Sequence, residues 1–198
     1  MLEFKSIEYE SVDVFPGSED AAFRAISPLG KVPVLEHDEF SIPDTSVICR
    51  YLDRVYPEKP LLPEDPQLEA RALWLEEFAD SKLIEACAGL FVQRFLNPRM
   101  FGQPTDESRV KEILDDQLPV LLGYLEGVIP EHGPLVGDSL SVADLAVVTC
   151  FLQARYGEFE VDGTQHPALR SYLDRSFAHE IVVARMAKEA NFVAAMAS

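Results

Sequence analysis

Two short stretches hold the residue types and spacings that bear most directly on chemistry. One is Ser27-Pro28-Leu29-Gly30-Lys31-Val32-Pro33-Val34-Leu35, and nine residues further on comes Asp44-Thr45. Pro33 stands at the mouth of an apolar run, where a residue without an N–H suits the first position of a strand better than its middle. The bond before a proline can be cis at modest cost. A chain entering a strand with such a bend would leave the Val32 N–H and C=O free to pair with the main chain of a peptide, as when an extended ligand adds to a sheet edge. Asp44-Thr45 opens a helical pattern, whose first N–H groups lack partners inside the helix and favour an anionic group such as a carboxylate. From the residues alone, a plain strand followed by a capped helix accounts for the pattern equally well.

Composition narrows the partners. A chain of 198 residues holds one large domain or two small ones. Although 47% of it is apolar, no run approaches the roughly 20 apolar residues of a membrane span. No pattern of signal type opens the chain, so a soluble cytoplasmic protein is expected. The formal charge of −17 is spread along the sequence, which opposes binding to nucleic acid or to an anionic membrane surface. Cys49, Cys87 and Cys150 are odd in number, far apart and set in helical apolar patterns, so buried free thiols are expected. Cys49 shares the helix of Asp44, but Arg50 is its only basic neighbour in sequence, and a structural thiol is expected rather than a redox one. His37, His132, His166 and His179 have no metal-ligand spacing with the cysteines or with one another, and no metal site is expected. There is also no G-x-S-x-G, phosphate-cradling loop or dinucleotide fingerprint.

Periodicity supplies the elements. Residues 1–5 read as the end of a helix and residues 7–14 as a strand, broken at Pro16-Gly17-Ser18. Ser18 or Asp20 then caps a short helix carrying Ala21, Ala22, Phe23 and Ile26. Strands are expected over 32–36 and 39–42 around a His37-Asp38 loop, followed by a helix over 44–56 with a Val47, Ile48, Tyr51, Leu52 and Val55 stripe. Pro57, Pro60, Pro63 and Pro66 punctuate a linker that Leu61 and Leu62 should hold against the body. Long helices follow over 68–96, ended by Asn97-Pro98, and over 106–128, with Pro119 as a possible kink. Ser141 and Asp144 have capping-box spacing, with Leu140 and Leu145 placed as a hydrophobic staple. The run from there to Tyr156 is apolar nearly all round and is closed by Gly157. Helices over 167–177 and 179–190 complete the pattern.

Four motifs in order, the stretch from Ser27 to Leu35, the Asp44-Thr45-Ser46-Val47-Ile48-Cys49-Arg50-Tyr51-Leu52 helix, the Pro-rich linker and Leu140-Ser141-Val142-Ala143-Asp144, are similar to those of the cytosolic glutathione S-transferase family. The resemblance implies an α/β thioredoxin-like N-terminal domain over residues 1–57, a linker over 58–66 and an all-α C-terminal helical bundle over 67–198. It also implies a homodimer that binds glutathione in a cleft between domains. Carried over by position, Val32 would pair its backbone with the cysteinyl unit, held by a cis Pro33. Asp44 and Thr45 would receive the γ-glutamyl amino and carboxylate groups, and Lys31 would neutralise a ligand carboxylate. Ser141 and Asp144 would serve folding. Against the family pattern the N-terminal domain is incomplete: the first strand and most of the first helix are absent before residue 7. The family's thiol-activating Tyr, Ser or Cys lies in that unit, so no catalytic residue is assigned. Met1 is accordingly expected to be an internal methionine of a longer protein. The function implied is conjugation of the glutathione thiol to a hydrophobic electrophile, by lowering the thiol pKa and orienting the reactants. Phe91, Phe95 and Tyr156 are candidates either for its apolar lining or for ordinary core packing. The alternative is a non-catalytic glutathione-binding or protein-interaction module of the same fold.

Overall fold

Aspartates set the starts of the helices. Asp20, Asp44, Asp65 and Asp106 each stand one residue ahead of a helix and accept backbone N–H groups from its first turn, satisfying donors that have no partner within the helix. Part of the acidic excess is therefore architectural. The computed structural model describes residues 1–14 and 17–196, divided into two units, Met1–Leu62 and Pro63–Ser198.

The first unit contains α1 (Leu2–Lys5), α2 (Ala21–Ile26), the strands β1 (Val34–His37) and β2 (Phe40–Pro43), and α3 (Thr45–Val55). β1 and β2 form an antiparallel hairpin with Val34 opposite Pro43 and His37 opposite Phe40. The two-residue loop is Asp38-Glu39 rather than the expected His37-Asp38, and Asp38 adopts a left-handed φ of 55°, a conformation that aspartate tolerates better than most residues. Residues 7–14 correct a second expectation, since they form no strand and Glu8 to Asp13 are exposed. A strand needs a neighbour for its N–H and C=O groups, and only β1 and β2 form a sheet among the described residues. Pro16, expected to break that strand, lies outside the described residues.

A buried ion pair ties this unit together. Lys5 Nζ lies 2.7 Å from Asp53 Oδ1, with side chains 1% and 7% exposed. The same ammonium donates to the carbonyls of Tyr56 at 2.8 Å and Lys59 at 2.7 Å. The Asp53 carboxylate also accepts the N–H groups of Leu61 and Leu62. Leu61 is buried, so the Pro-rich segment is packed down as its leucines suggested.

The second unit is helical among its described residues. Its first long element is α4 (Pro66–Phe78), a π-helical stretch over Ala79–Leu83, α5 (Ile84–Phe91) and a second π-helical stretch over Val92–Phe101. Asn97-Pro98 does not end it. Pro98 lies inside the wider winding, where the ring no longer meets an i−4 carbonyl in α-helical geometry, and the element stops at Gly102 with φ 60°. Next come α6 (Glu107–Glu112), a π-helical stretch over Ile113–Gln117 and α7 (Leu118–Val128), wound without a break, with Pro119 just after the π-helical stretch. The remaining helices are α8 (Val142–Tyr156), α9 (Pro167–Phe177) and α10 (Glu180–Met196).

α8 is the core, with Ala143, Val147, Cys150, Phe151 and Ala154 among its buried residues. It packs on the stripe of Ala72, Leu75, Ala79, Leu83, Ala86 and Leu90. The approach is close enough that a Cβ on Gly157 would sit 2.7 Å from the Leu90 carbonyl carbon. Gly157 therefore serves packing; the left-handed residue at this helix end is Glu158, at φ 57°. The capping box forms as its spacing suggested, but the Asp144 carboxylate does more. One oxygen accepts the Ser141 N–H and hydroxyl at 2.9 and 2.8 Å. The other accepts the Leu135 N–H at 2.8 Å and the Tyr172 hydroxyl at 2.9 Å, joining the loop before α8 to α9.

Asp53→Ala should lower unfolding stability by about 3 kcal/mol or more, because it strands a buried ammonium. The double replacement Lys5→Met/Asp53→Leu should recover much of that loss in urea denaturation. Asp144→Ala should cost about 3 kcal/mol by orphaning several buried donors, against about 1 kcal/mol for Ser141→Ala.

Candidate functional site

The hairpin register brings the two sequence stretches to one end of the sheet. With Val34 opposite Pro43, the next positions outward are Pro33 on one strand and Asp44 on the other. The Val32–Pro33 peptide bond is cis. Val32 is 45% exposed, and neither its N–H nor its C=O has a backbone partner among the described residues. These are the groups that an extended peptide would use. Asp44, at φ 84°, turns the chain from β2 into α3, and its Oδ1 accepts the Val47 N–H at 3.2 Å. Thr45 is the first residue of α3 and is exposed, as is Lys31. One end of the hairpin thus offers an unpaired peptide unit beside the positive end of an eleven-residue helix. Such an edge suits a small peptide with a terminal carboxylate. Lys31 adds an exposed cation nearby in sequence. Ser141 and Asp144 belong to the second unit and are consumed by its fold.

Residues that sequence reasoning passed over also shape this end. Arg24 reaches from α2 to the turn before Val32, with Nη1 3.3 Å from the Pro28 carbonyl, and only the left-handed Gly30 beside it could have hinted at the contact. At the far end of the hairpin, His37 Nδ1 is 2.7 Å from the Tyr51 hydroxyl, and the Phe40 ring lies 5.0 Å from that of Tyr51.

In the second unit Phe91, Phe95 and Tyr156 form one aromatic cluster. Their ring centroids are separated by 5.2, 5.9 and 5.7 Å, and the Arg99 guanidinium lies 4.3 Å over Phe95. Phe95 is buried whereas Phe91 and Tyr156 are half-buried. The Tyr156 hydroxyl donates to Glu189 Oε2 at 3.3 Å. Burial, and then the Glu189 charge, raise its pKa, so the phenol stays protonated at neutral pH. It can line an apolar surface but cannot serve as a phenolate base there.

Residues 1–60 match the family model described as glutathione S-transferase, N-terminal domain, and residues 93–189 match that described as glutathione S-transferase, C-terminal domain. Glutathione S-transferase 1 of Dianthus caryophyllus is 30% identical over 174 residues, which span 87% of this chain and 76% of that one. A solved glutathione S-transferase from Rhodospirillum rubrum F11 superposes with a TM-score of 0.80 at 26% identity, covering 91% of this chain and 82% of that one. The solved glutathione S-transferase-I bound with lactoylglutathione gives a TM-score of 0.76 at 25% identity, covering 98% of this chain and 90% of that one.

The three thiols are unequal. Cys87 and Cys150 are buried, while Cys49, expected to be buried, is only half-covered because the α3 stripe it flanks is itself partly open. Burial pushes the Cys87 thiol well up, with a smaller contribution from Cys150. It pushes Cys150 from 9.0 up to about 12, with Asp80 adding to the shift, and the Cys150 thiol lies 3.6 Å from the Ala79 carbonyl. Neither is a nucleophile at neutral pH. A group whose folded pKa is raised contributes stability that is whole below its unfolded pKa and is lost as pH rises toward the folded value. The Cys150 contribution to unfolding stability, followed by urea denaturation, should therefore hold up to pH 9.0 and be lost between there and about 12, by at most about 1.4 kcal/mol per pH unit. Alkylation at pH 8 should modify Cys49 in the folded protein, and Cys87 and Cys150 only after unfolding.

Proposed function

Because this chain belongs to the glutathione S-transferase family, we propose that the hairpin end at Val32 and Asp44 is its glutathione half-site. The Val32 N–H and C=O pair with the cysteinyl unit of the tripeptide, and Pro33 shapes that edge. The Thr45 hydroxyl and the first N–H groups of α3 receive the γ-glutamyl carboxylate. One Asp44 oxygen caps α3, and the other takes the γ-glutamyl ammonium. Lys31 neutralises the glycyl carboxylate. The observation that supports this reading most is the register that puts Pro33 and Asp44 at neighbouring positions, so that one short peptide reaches both.

The reaction is addition of the glutathione thiolate to a hydrophobic electrophile. No side chain of the half-site is assigned the activation of the thiol. The protein acts as a cytoplasmic homodimer. Support for dimerisation comes from α3, where Val47, Tyr51 and Val55 fall at four-residue spacing on one face and both valines are exposed, 48% and 42%.

Retention on immobilised glutathione tests the half-site, and conjugation of a nitro-activated aryl chloride then tests the chemistry. Wild type should be retained and eluted by free glutathione. Thr45→Ala should weaken binding about tenfold, the loss of one hydrogen bond to a charged group, without shifting the urea midpoint. Binding without turnover would favour the non-catalytic module, and no binding would sink the half-site itself.

A further inference from the structure

The turn that presents Val32 has no regular structure of its own, yet it is held from behind at several points. Ser27 is buried and donates its hydroxyl to the Lys31 carbonyl at 2.7 Å. The Gly30 N–H donates to the Ser27 carbonyl at 2.8 Å, and the Gly30 carbonyl accepts the Gly17 N–H at 2.9 Å. One side chain joins these segments: Arg24 Nε donates to the Ser18 carbonyl at 2.8 Å, Nη1 to the Pro28 carbonyl at 3.3 Å, and Nη2 to the exposed Glu19 carboxylate. Gly30 makes room for it. At φ +66°, a Cβ there would stand 2.6 Å from Nη1 and 2.7 Å from Cζ, so the glycine answers both a left-handed backbone and the approach of the guanidinium.

We propose that Arg24 is a positioning residue for glutathione: its planar fork clamps residues 18–19 to the turn over 27–30 and so fixes the Val32 peptide unit in the place where the cysteinyl unit pairs with it. The inference rests on the half-site reading above and names what sets the affinity of that pairing. A guanidinium holds donors in a rigid fork and can bridge two carbonyls and a carboxylate at once, whereas a lysine ammonium is a point charge on a flexible stem. An edge held in its binding conformation before the ligand arrives avoids the ordering cost on association. Arg24 itself touches the turn and not the exposed edge, so its contribution passes through the backbone.

Calorimetric titration with glutathione, and with an analogue N-methylated at the cysteinyl amide, separates this role from plain destabilisation. Wild type should lose about tenfold in affinity on N-methylation, because the Val32 carbonyl loses its donor. Arg24→Ala should bind glutathione about tenfold more weakly than wild type and lose little more with the analogue, since the methylated contact is already loosened. Arg24→Lys keeps charge and stem and should show the same loss of discrimination; it carries the test if the alanine variant does not fold. Variants that bind both ligands as wild type does, or that lose affinity for both in equal proportion, would overturn the role of Arg24. A wild-type protein that binds glutathione and its analogue equally, or neither, would overturn the half-site reading and this inference with it.

Discussion

The Lys5–Asp53 pair is the contact on which the first unit depends. A two-stranded hairpin is marginal by itself, and the unit of Met1–Leu62 has few buried apolar side chains to add, chiefly Phe23, Ile48, Leu52 and Leu61. Two opposite charges taken out of water stabilise a fold only if every remaining hydrogen-bonding position is filled. Here the ammonium finds two carbonyls and the carboxylate finds two backbone N–H groups besides each other. The result pins α1, the second half of α3 and the Pro-rich segment to one point. α3 is thereby held at its C-terminal half by the ion pair and at its N-terminus by the Asp44 cap.

The same α3 begins at the hairpin end proposed as the ligand edge. The ligand edge has three parts of different character: an unpaired peptide unit at Val32, a helix start at Thr45, and an exposed cation at Lys31. On the proposed reading these parts take a peptide unit and two carboxylates, and glutathione carries all three. Of the three thiols, Cys87 and Cys150 are kept protonated by burial.

The sequence was most legible where a local rule sufficed. Asp20, Asp44 and Ser141 precede helices as cap chemistry requires, and the apolar stripes of α4, α5 and α8 follow directly from spacing. It misled where the outcome depended on distant partners. Residues 7–14 have the alternation of a strand but no neighbour to pair with among the described residues. Pro98 has the character of a helix breaker but meets a winding wide enough to hold it. Gly157 looks like a left-handed cap, but its need is set by the Leu90 backbone across the core. The residues of the proposed glutathione edge were visible as motifs, whereas Arg24, Lys5 and Asp53, whose contacts brace the segments around it, act across gaps that no periodicity records.

The central claim is that one end of the β1–β2 hairpin binds glutathione through main-chain groups. Titrating glutathione into the ¹⁵N-labelled protein and following amide resonances tests this most directly. The amides of Val32 and of Thr45, Ser46 and Val47 should shift together, saturating with a single dissociation constant, while those around Asp144 stay in place. Saturable shifts confined to residues outside 30–47, with Val32 and Thr45 unmoved, would contradict it.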